Sequence, residues 1–214
     1  MRRGSIELCP ESLPLLAFLA LTALALAGLG WPIPTLLALL ALAFSIYFFR
    51  DPERVVPHGE GLAVSPADGK VIAVDRTQEP FTGDDSQRIS IFMNVFNVHV
   101  NRSPVEGEII EQAYVAGKFF NASLDKASKH NERHLLRIID PDNQSWTVVQ
   151  IAGLVARRIV AWSHKGEELG RGSRLGLIRF GSRVDLYVPA SYEIVVHPGQ
   201  KVLAGCTVLA EMRR

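Results

Sequence analysis

Hydrophobic and polar positions give this chain two textures. Residues 13–49 carry no charged side chain, and the apolar run is interrupted at Gly28-Leu-Gly-Trp-Pro-Ile-Pro34, where glycine and proline break a helix. Two apolar helices are predicted, over 13–29 and 33–49, each near the lower end of the ~17–25 residues that cross a bilayer. Arg2 and Arg3 precede the first, and Arg50 and Arg54 follow the second. That flanking charge predicts a membrane hairpin with both ends on the cytoplasmic side. A basic start before an apolar run also describes a cleaved signal peptide, against which the second apolar segment argues. Cys9 stands before the apolar run, which does not suit a lipoprotein signal.

From Pro57 onward the pattern changes to short β-branched runs punctuated by glycine. They are Lys70–Asp75, Ile89–Phe92, Val98–Val100, Gly107–Ile110, Leu135–Ile139, Trp146–Ala152, Arg157–Ala161, Arg183–Val188 and Lys201–Leu203. Several alternate apolar with polar, the period of half-buried strands. Turns are expected at Asp68-Gly69, Asp140-Pro-Asp-Asn143 and His197-Pro-Gly199. Helical periodicity is scarce here, and the polar stretch Asn121–Arg133 reads as a loop or a short helix. The expectation is a mainly β sandwich or barrel, resembling the barrel-sandwich hybrid, behind an N-terminal two-helix membrane hairpin. The expected domains are 1–54, the anchor, and 55–214, the β domain.

Composition narrows this further. A chain of 214 residues allows one ordinary domain with a small appendage. Its formal net charge of +1 averages two different materials and carries no argument about partners. Nothing in it is basic enough for nucleic-acid binding. Cys9 and Cys206 lie at opposite ends, outside any Cys/His cluster, so neither a disulfide framework nor a metal site is expected. There is no phosphate-binding glycine loop and no GxSxG elbow.

Four motifs carry candidate chemistry. They are Ser65-Pro-Ala-Asp-Gly-Lys-Val71, Asn94-Val-Phe-Asn-Val-His-Val-Asn-Arg-Ser-Pro104, Lys165-Gly-Glu-Glu-Leu-Gly170, and Gly181-Ser182 within the run Leu175–Pro189. Each alone is weak. Asp-Gly is a common turn, Gly-Ser a common dipeptide, and a lone strand histidine is usually structural. In this order, downstream of an apolar region, they resemble the phosphatidylserine decarboxylase family in its short form, from about Arg50 to the end of the chain.

The resemblance implies self-cleavage between Gly181 and Ser182. The serine hydroxyl attacks the preceding carbonyl, which glycine leaves open, and the ester so formed undergoes β-elimination. The products would be a large chain, 1–181, and a small chain, 182–214, beginning with a pyruvoyl group derived from Ser182. That group would form a Schiff base with the substrate amine and act as the electron sink for decarboxylation. Carried over residue by residue, Asp68, His99 and Ser182 form the family's triad. His99 would be the base in self-cleavage and the proton donor in decarboxylation, and Asp68 would orient it. Family versions often carry a second histidine three residues earlier, where this chain has Phe96. The implied reaction converts phosphatidylserine of the bilayer to phosphatidylethanolamine and carbon dioxide, and the implied assembly is a homodimer.

Other features are weaker. Arg157-Arg158 could bind lipid phosphate, although paired arginines are more often solvated surface. Asn131-Glu-Arg133 resembles a family segment that lines the site, with a structural role expected. His58, His130, His134, His164 and His197 lack the spacing of a metal set. Two rival functions remain at this point: a membrane-tethered lipoyl-like scaffold or carrier, and a membrane-anchored serine hydrolase using Ser182, His99 and Asp68.

Overall fold

A computed structural model describes residues 6–117, 130–153, 158–179 and 181–213. Arg157 and most of the stretch 121–133 lie outside the described residues. The chain divides into two compact units, residues 1–53 and 54–214.

In the first unit a 3-10 turn, Pro10–Ser12, leads into α1, Leu13–Gly28, followed by α2, Pro32–Phe48. The break between the helices arises from its residues. Gly30 takes a left-handed φ of 68°, and the amides of Gly30 and Trp31 donate back to Ala27 and Leu26, satisfying the carbonyls at the end of α1. Pro32 then opens α2, where its missing N–H costs nothing. β1, Ile6–Leu8, pairs antiparallel with β2, Arg50–Pro52. Both helices expose large apolar side chains, among them Phe18, Leu21 and Leu24 on α1 and Ile33, Leu36 and Leu40 on α2. A helix apolar all round is one that is buried, in a protein core or in a membrane. The span Pro10–Gly28, 19 residues, is long and apolar enough to cross a membrane, whereas α2 is shorter, at 17 residues.

The second unit is built of strands. Its largest sheet has eight, all antiparallel, in the order β11-β7-β8-β9-β13-β5-β4-β15, curled into a half-barrel. These are β4 (Gly69–Gln78), β5 (Asp85–Met93), β7 (Gly107–Val115), β8 (Arg133–Ile139), β9 (Ser145–Ala152), β11 (Glu168–Leu169), β13 (Ser182–Val188) and β15 (Lys201–Val202). Two three-stranded sheets complete it. One is β10 (Ile159–Ala161), β12 (Arg174–Ile178) and β6 (Val100–Arg102); the other is β14 (Tyr192–Ile194), β16 (Val208–Met212) and β3 (Leu62–Val64).

The alternation along β13 shows how the sheet is used. Val184, Leu186 and Val188 enter the main core with Ile89, Ile91, Met93, Leu136 and Trp146. Arg183, Asp185 and Tyr187 point to the opposite face, where Tyr187 joins Leu135, Val149 and Ile151 in a second cluster. Every residue of β13 is buried. That is the position of a central strand covered on both faces.

Candidate active site

Ser182 is the first residue of β13. It pairs with Met93 of β5 on one side and Ala152 of β9 on the other, so its backbone is fixed from both edges. The next residue strengthens this. Arg183 is buried, its Nε donates to Asp185 Oδ1 at 2.6 Å, and its Nη2 donates to Ser90 Oγ at 2.7 Å and Asp185 Oδ2 at 3.0 Å. A charged pair taken out of water holds its geometry because breaking it would strand a buried ion. Gly181, just outside the strand, takes a left-handed φ of 64°, and a Cβ there would have no atom within 4 Å. Glycine is therefore placed for its backbone, with open space beside the carbonyl that precedes the serine.

The Ser182 side chain is fully buried, and its hydroxyl donates to Met93 Sδ at 3.3 Å. A thioether is a weak acceptor, so the hydroxyl is located without being strongly held. The same sulfur accepts from Asn101 Nδ2 at 3.6 Å.

His99 directly precedes β6 and is also fully buried. Its carbonyl accepts from the amide of Ile178 at 3.3 Å, four residues before Ser182, so the backbone of His99 is tied to the strand that leads into the Gly181-Ser182 junction. Asn101 lies two residues further on, and the pleat puts alternate residues on one face. Asn101 reaches the Met93 thioether, which is also the acceptor of the Ser182 hydroxyl. His99 Nδ1 lies 2.9 Å from the carbonyl oxygen of Asn97. A carbonyl can only accept, so Nδ1 carries the proton and Nε2 is the basic nitrogen.

Asp68 sits at the entry to β4, on a turn bound to β6 through Arg102 N and Pro66 O at 2.9 Å. Its carboxylate accepts from Arg54 Nη2 at 3.0 and 2.9 Å and from the amide of Ala204 at 2.7 Å. Arg54, read from sequence as a charge flanking the membrane segment, is also the counter-ion of Asp68. At Gly69 an added Cβ would collide with the carbonyl of Phe92, so glycine is needed for β4 to approach β5 closely beside Met93.

A chain of polar groups, buried except at the half-buried Gln112, leads away from the site. Gln150 Nε2 donates to Asn101 Oδ1 at 2.8 Å, His134 Nδ1 lies 2.9 Å from Gln150 Oε1, and Gln112 Nε2 lies 2.6 Å from His134 Nε2. Burial pushes the His134 imidazole below its usual pKa, so it is neutral near pH 7, with its proton on Nδ1 facing the carbonyl oxygen of Gln150. None of Met93, Asn101, Gln112, His134 or Gln150 is singled out by sequence for this role. Gln112 and Gln150 interrupt apolar strand runs, and a polar residue where the alternation calls for an apolar one is the available signal.

Other residues with sequence-based expectations have more modest places. Asn131 is buried and donates from Nδ2 to the carbonyl of Ala152 at 2.8 Å, which braces the β9 residue paired with Ser182, a structural role. The Lys165–Gly170 motif supplies β11, the edge strand, and buries Leu169 in the core. Arg158 is exposed, and its carbonyl accepts from the amide of Arg179 at 3.2 Å, two residues before Gly181.

Known proteins share this sequence over nearly its whole length. Residues 41–210 match the family model described as phosphatidylserine decarboxylase. A phosphatidylserine decarboxylase proenzyme of Solidesulfovibrio magneticus is 52% identical over 204 residues, covering 95% of each chain. One of Oleidesulfovibrio alaskensis is 51% identical over 210 residues, 98% of this chain and 96% of the relative. One of Nitrosomonas eutropha is 54% identical over 188 residues, 87% and 85% respectively. With a family match over residues 41–210 and relatives about half identical over nearly the whole chain, the chain belongs to the phosphatidylserine decarboxylase family.

Proposed function

We propose that this chain decarboxylates phosphatidylserine to phosphatidylethanolamine, using a pyruvoyl group that it makes from Ser182 by cleaving itself between Gly181 and Ser182. The observation that carries this is the junction itself. A buried serine hydroxyl on a strand pinned from both sides comes after a glycine whose φ of 64° and open surroundings admit rearrangement of the peptide bond.

His99 Nε2 takes the Ser182 hydroxyl proton as Oγ bonds to the Gly181 carbonyl carbon. Asp68 is assigned by resemblance to orient His99. Among the described residues its Oδ2 accepts from Arg54 alone, which leaves that oxygen capacity for a further donor. Collapse breaks the Gly181–Ser182 C–N bond, and the amine takes the proton, giving an ester. Loss of the Ser182 α proton and departure of the Gly181 carboxylate leave dehydroalanine. Its tautomer reacts with water, releasing ammonia. The surroundings suit the product, because the Cβ that carried the hydroxyl becomes a methyl and meets the Met93 thioether, an apolar neighbour as compatible with a methyl as with a weakly bonded hydroxyl.

Once formed, the group supplies the electron sink that decarboxylation of an amino acid requires. In that reaction His99 is the proton donor, since Phe96 occupies the place of the family's second histidine. Arg158 offers a cation to the lipid phosphodiester. The apolar helices support a membrane-held enzyme, and the flanking arginines support the cytoplasmic side for its catalytic unit.

The test is an intact-mass spectrum of denatured protein beside Ser182→Ala. The expected result is two chains that meet at Gly181 and Ser182, the small one blocked, and an uncut variant. One intact chain in both folded samples overturns self-cleavage. Processed protein that releases no carbon dioxide from phosphatidylserine vesicles overturns the substrate.

A further inference from the structure

The Asn101 side chain is fully buried, and its two ends are used unequally. Oδ1 accepts a good hydrogen bond from Gln150 Nε2 at 2.8 Å, whereas Nδ2, among the described residues, has only the Met93 thioether at 3.6 Å. A buried amide N–H left on so poor an acceptor is a donor in want of a partner. It approaches the same sulfur as the Ser182 hydroxyl, which puts Asn101 Nδ2 and Ser182 Oγ at most about 7 Å apart.

The orientation of this amide is determined by the groups behind it. Neutral His134 donates from Nδ1 to Gln150 Oε1, which turns the Gln150 amino group toward Asn101, where it can bond only to Oδ1. The amino group of Asn101 is therefore the end that faces the cleavage site. Gln112 Nε2 supplies the donor to His134 Nε2 at 2.6 Å and also reaches the carbonyl of Ser163 at 3.4 Å. Every hydrogen bond in the chain from Gln112 through His134 and Gln150 to Asn101 donates in the direction of Ser182. Reversing the Gln150 or Asn101 amide would set donor against donor among fully buried groups.

We propose that Asn101 is a catalytic residue of self-cleavage, donating from Nδ2 to the oxyanion that forms on the Gly181 carbonyl when Ser182 Oγ attacks, and that Gln150 and His134 are its positioning residues. The inference rests on the self-cleavage reading. As Oγ bonds to the Gly181 carbon, the carbonyl π electrons move to its oxygen, the atom to which Asn101 Nδ2 would donate. The weak contact to Met93 Sδ is given up at small cost. A donor aimed in advance at developing charge, in a buried site, lowers the barrier without reorganising at the moment of reaction.

The experiment tracks the conversion of freshly folded full-length precursor into two chains, by intact mass over time, for the wild type, Asn101→Leu, Asn101→Asp and Ser182→Ala. Asn101→Asp keeps the size of the side chain and its acceptor for Gln150 while removing the donor, so it carries the test if Asn101→Leu fails to fold. Both Asn101 variants are expected to cleave roughly 10²–10³-fold more slowly than wild type. Hydroxylamine, which intercepts an ester already formed, should leave their rates unchanged because ester formation has become limiting. Cleavage of Asn101→Asp within threefold of wild type, or a slow variant fully rescued by hydroxylamine, overturns the role of Asn101. A wild type that stays intact, or a Ser182→Ala variant that cleaves, instead overturns the self-cleavage reading.

Discussion

Arg54→Met should destabilise the β unit severely, and the structure indicates by how much. Arg54 and Asp68 form an ion pair at 2.9 Å with side chains 10% and 6% exposed, so neither charge is appreciably screened by solvent. Methionine matches the length of the arginine stem but leaves the Asp68 carboxylate buried with the Ala204 amide as its remaining partner. Removing one member of a buried pair costs about 3–5 kcal/mol, because the other is left as an uncompensated charge. For a unit of this size each kcal/mol lowers Tm by roughly 2–4 °C, so the expected fall is about 6–20 °C. The measurement is thermal unfolding in detergent on the Ser182→Ala background, which keeps every sample a single chain. The double variant Arg54→Met/Asp68→Asn should recover most of the loss, since a neutral amide can still accept from Ala204 and carries no charge to strand. A single variant melting within about 2 °C of its parent, or a double variant as unstable as the single, would refute the assignment of Arg54 as the counter-ion.

Three further outcomes are expected. Gly69→Ala should cost about 1–3 kcal/mol in thermal unfolding, because its Cβ meets the carbonyl of Phe92 in an adjoining strand rather than a movable side chain. It should also slow cleavage, since Phe92 adjoins Met93, and this is read by intact mass over time. His134 has a folded pKa below its ordinary value of 6.5, owing chiefly to burial. The stability it contributes is therefore complete above pH 6.5 and is lost as pH falls through the lower folded value. His134→Gln should flatten the dependence of Tm on pH in that acid window, and an unchanged slope would contradict the buried neutral imidazole. Met93→Leu, nearly volume-conserving, should alter stability by less than about 1.5 kcal/mol and leave cleavage within threefold of wild type, because the sulfur holds the hydroxyl and the Asn101 amide only weakly.

Much of the fold was legible because its strands advertise themselves. β4, β5, β8, β9 and β13 are long, β-branched and bounded by turns, and the predicted runs overlap all five. The short strands β3, β11, β14 and β16 are two to five residues long, too brief for a period to register. The two helices were marked by the absence of charge and by the Gly/Pro break, which ends α1 and starts α2 where glycine and proline are most useful. Asp68, His99 and Ser182 were proposed as site residues through motif resemblance, with no physical signal strong enough in any one of them. Their supporting residues come from strands distant in sequence. Gln112, His134 and Gln150 become neighbours only when β7, β8 and β9 pair in register, and Arg54 meets Asp68 across a turn that its own sequence does not specify. Periodicity can flag a polar residue inside an apolar run, but it cannot say which buried partner that residue will find.

The position of the Gly181-Ser182 junction in the topology decides the fate of the two chains after cleavage. Residues 182–214 supply β13, inserted between β5 and β9, together with β15 paired to β4 and β16 paired to β3. Val184, Leu186, Val188, Tyr192, Val202 and Leu209 from this segment lie in the main core. A cut at its first residue removes a single covalent link, whereas separating the pieces would open the pairings of three strands and expose about half a dozen core side chains. Burial of each large apolar side chain is worth roughly 1.5–3 kcal/mol, so dissociation is opposed by on the order of 10 kcal/mol before any hydrogen bond is considered. The two chains should therefore co-elute in native size-exclusion chromatography after complete processing and separate only in denaturant. Spontaneous release of the small chain in detergent buffer would refute this. The same topology would confine the proposed cleavage to one bond. The proposed nucleophile belongs to a buried strand paired on both sides, and the carbonyl it would attack belongs to a glycine outside that strand, so one reactant would be fixed while the other is free of side-chain obstruction. A junction inside β13 would have neither property, and one in an exposed loop would lack the buried donors.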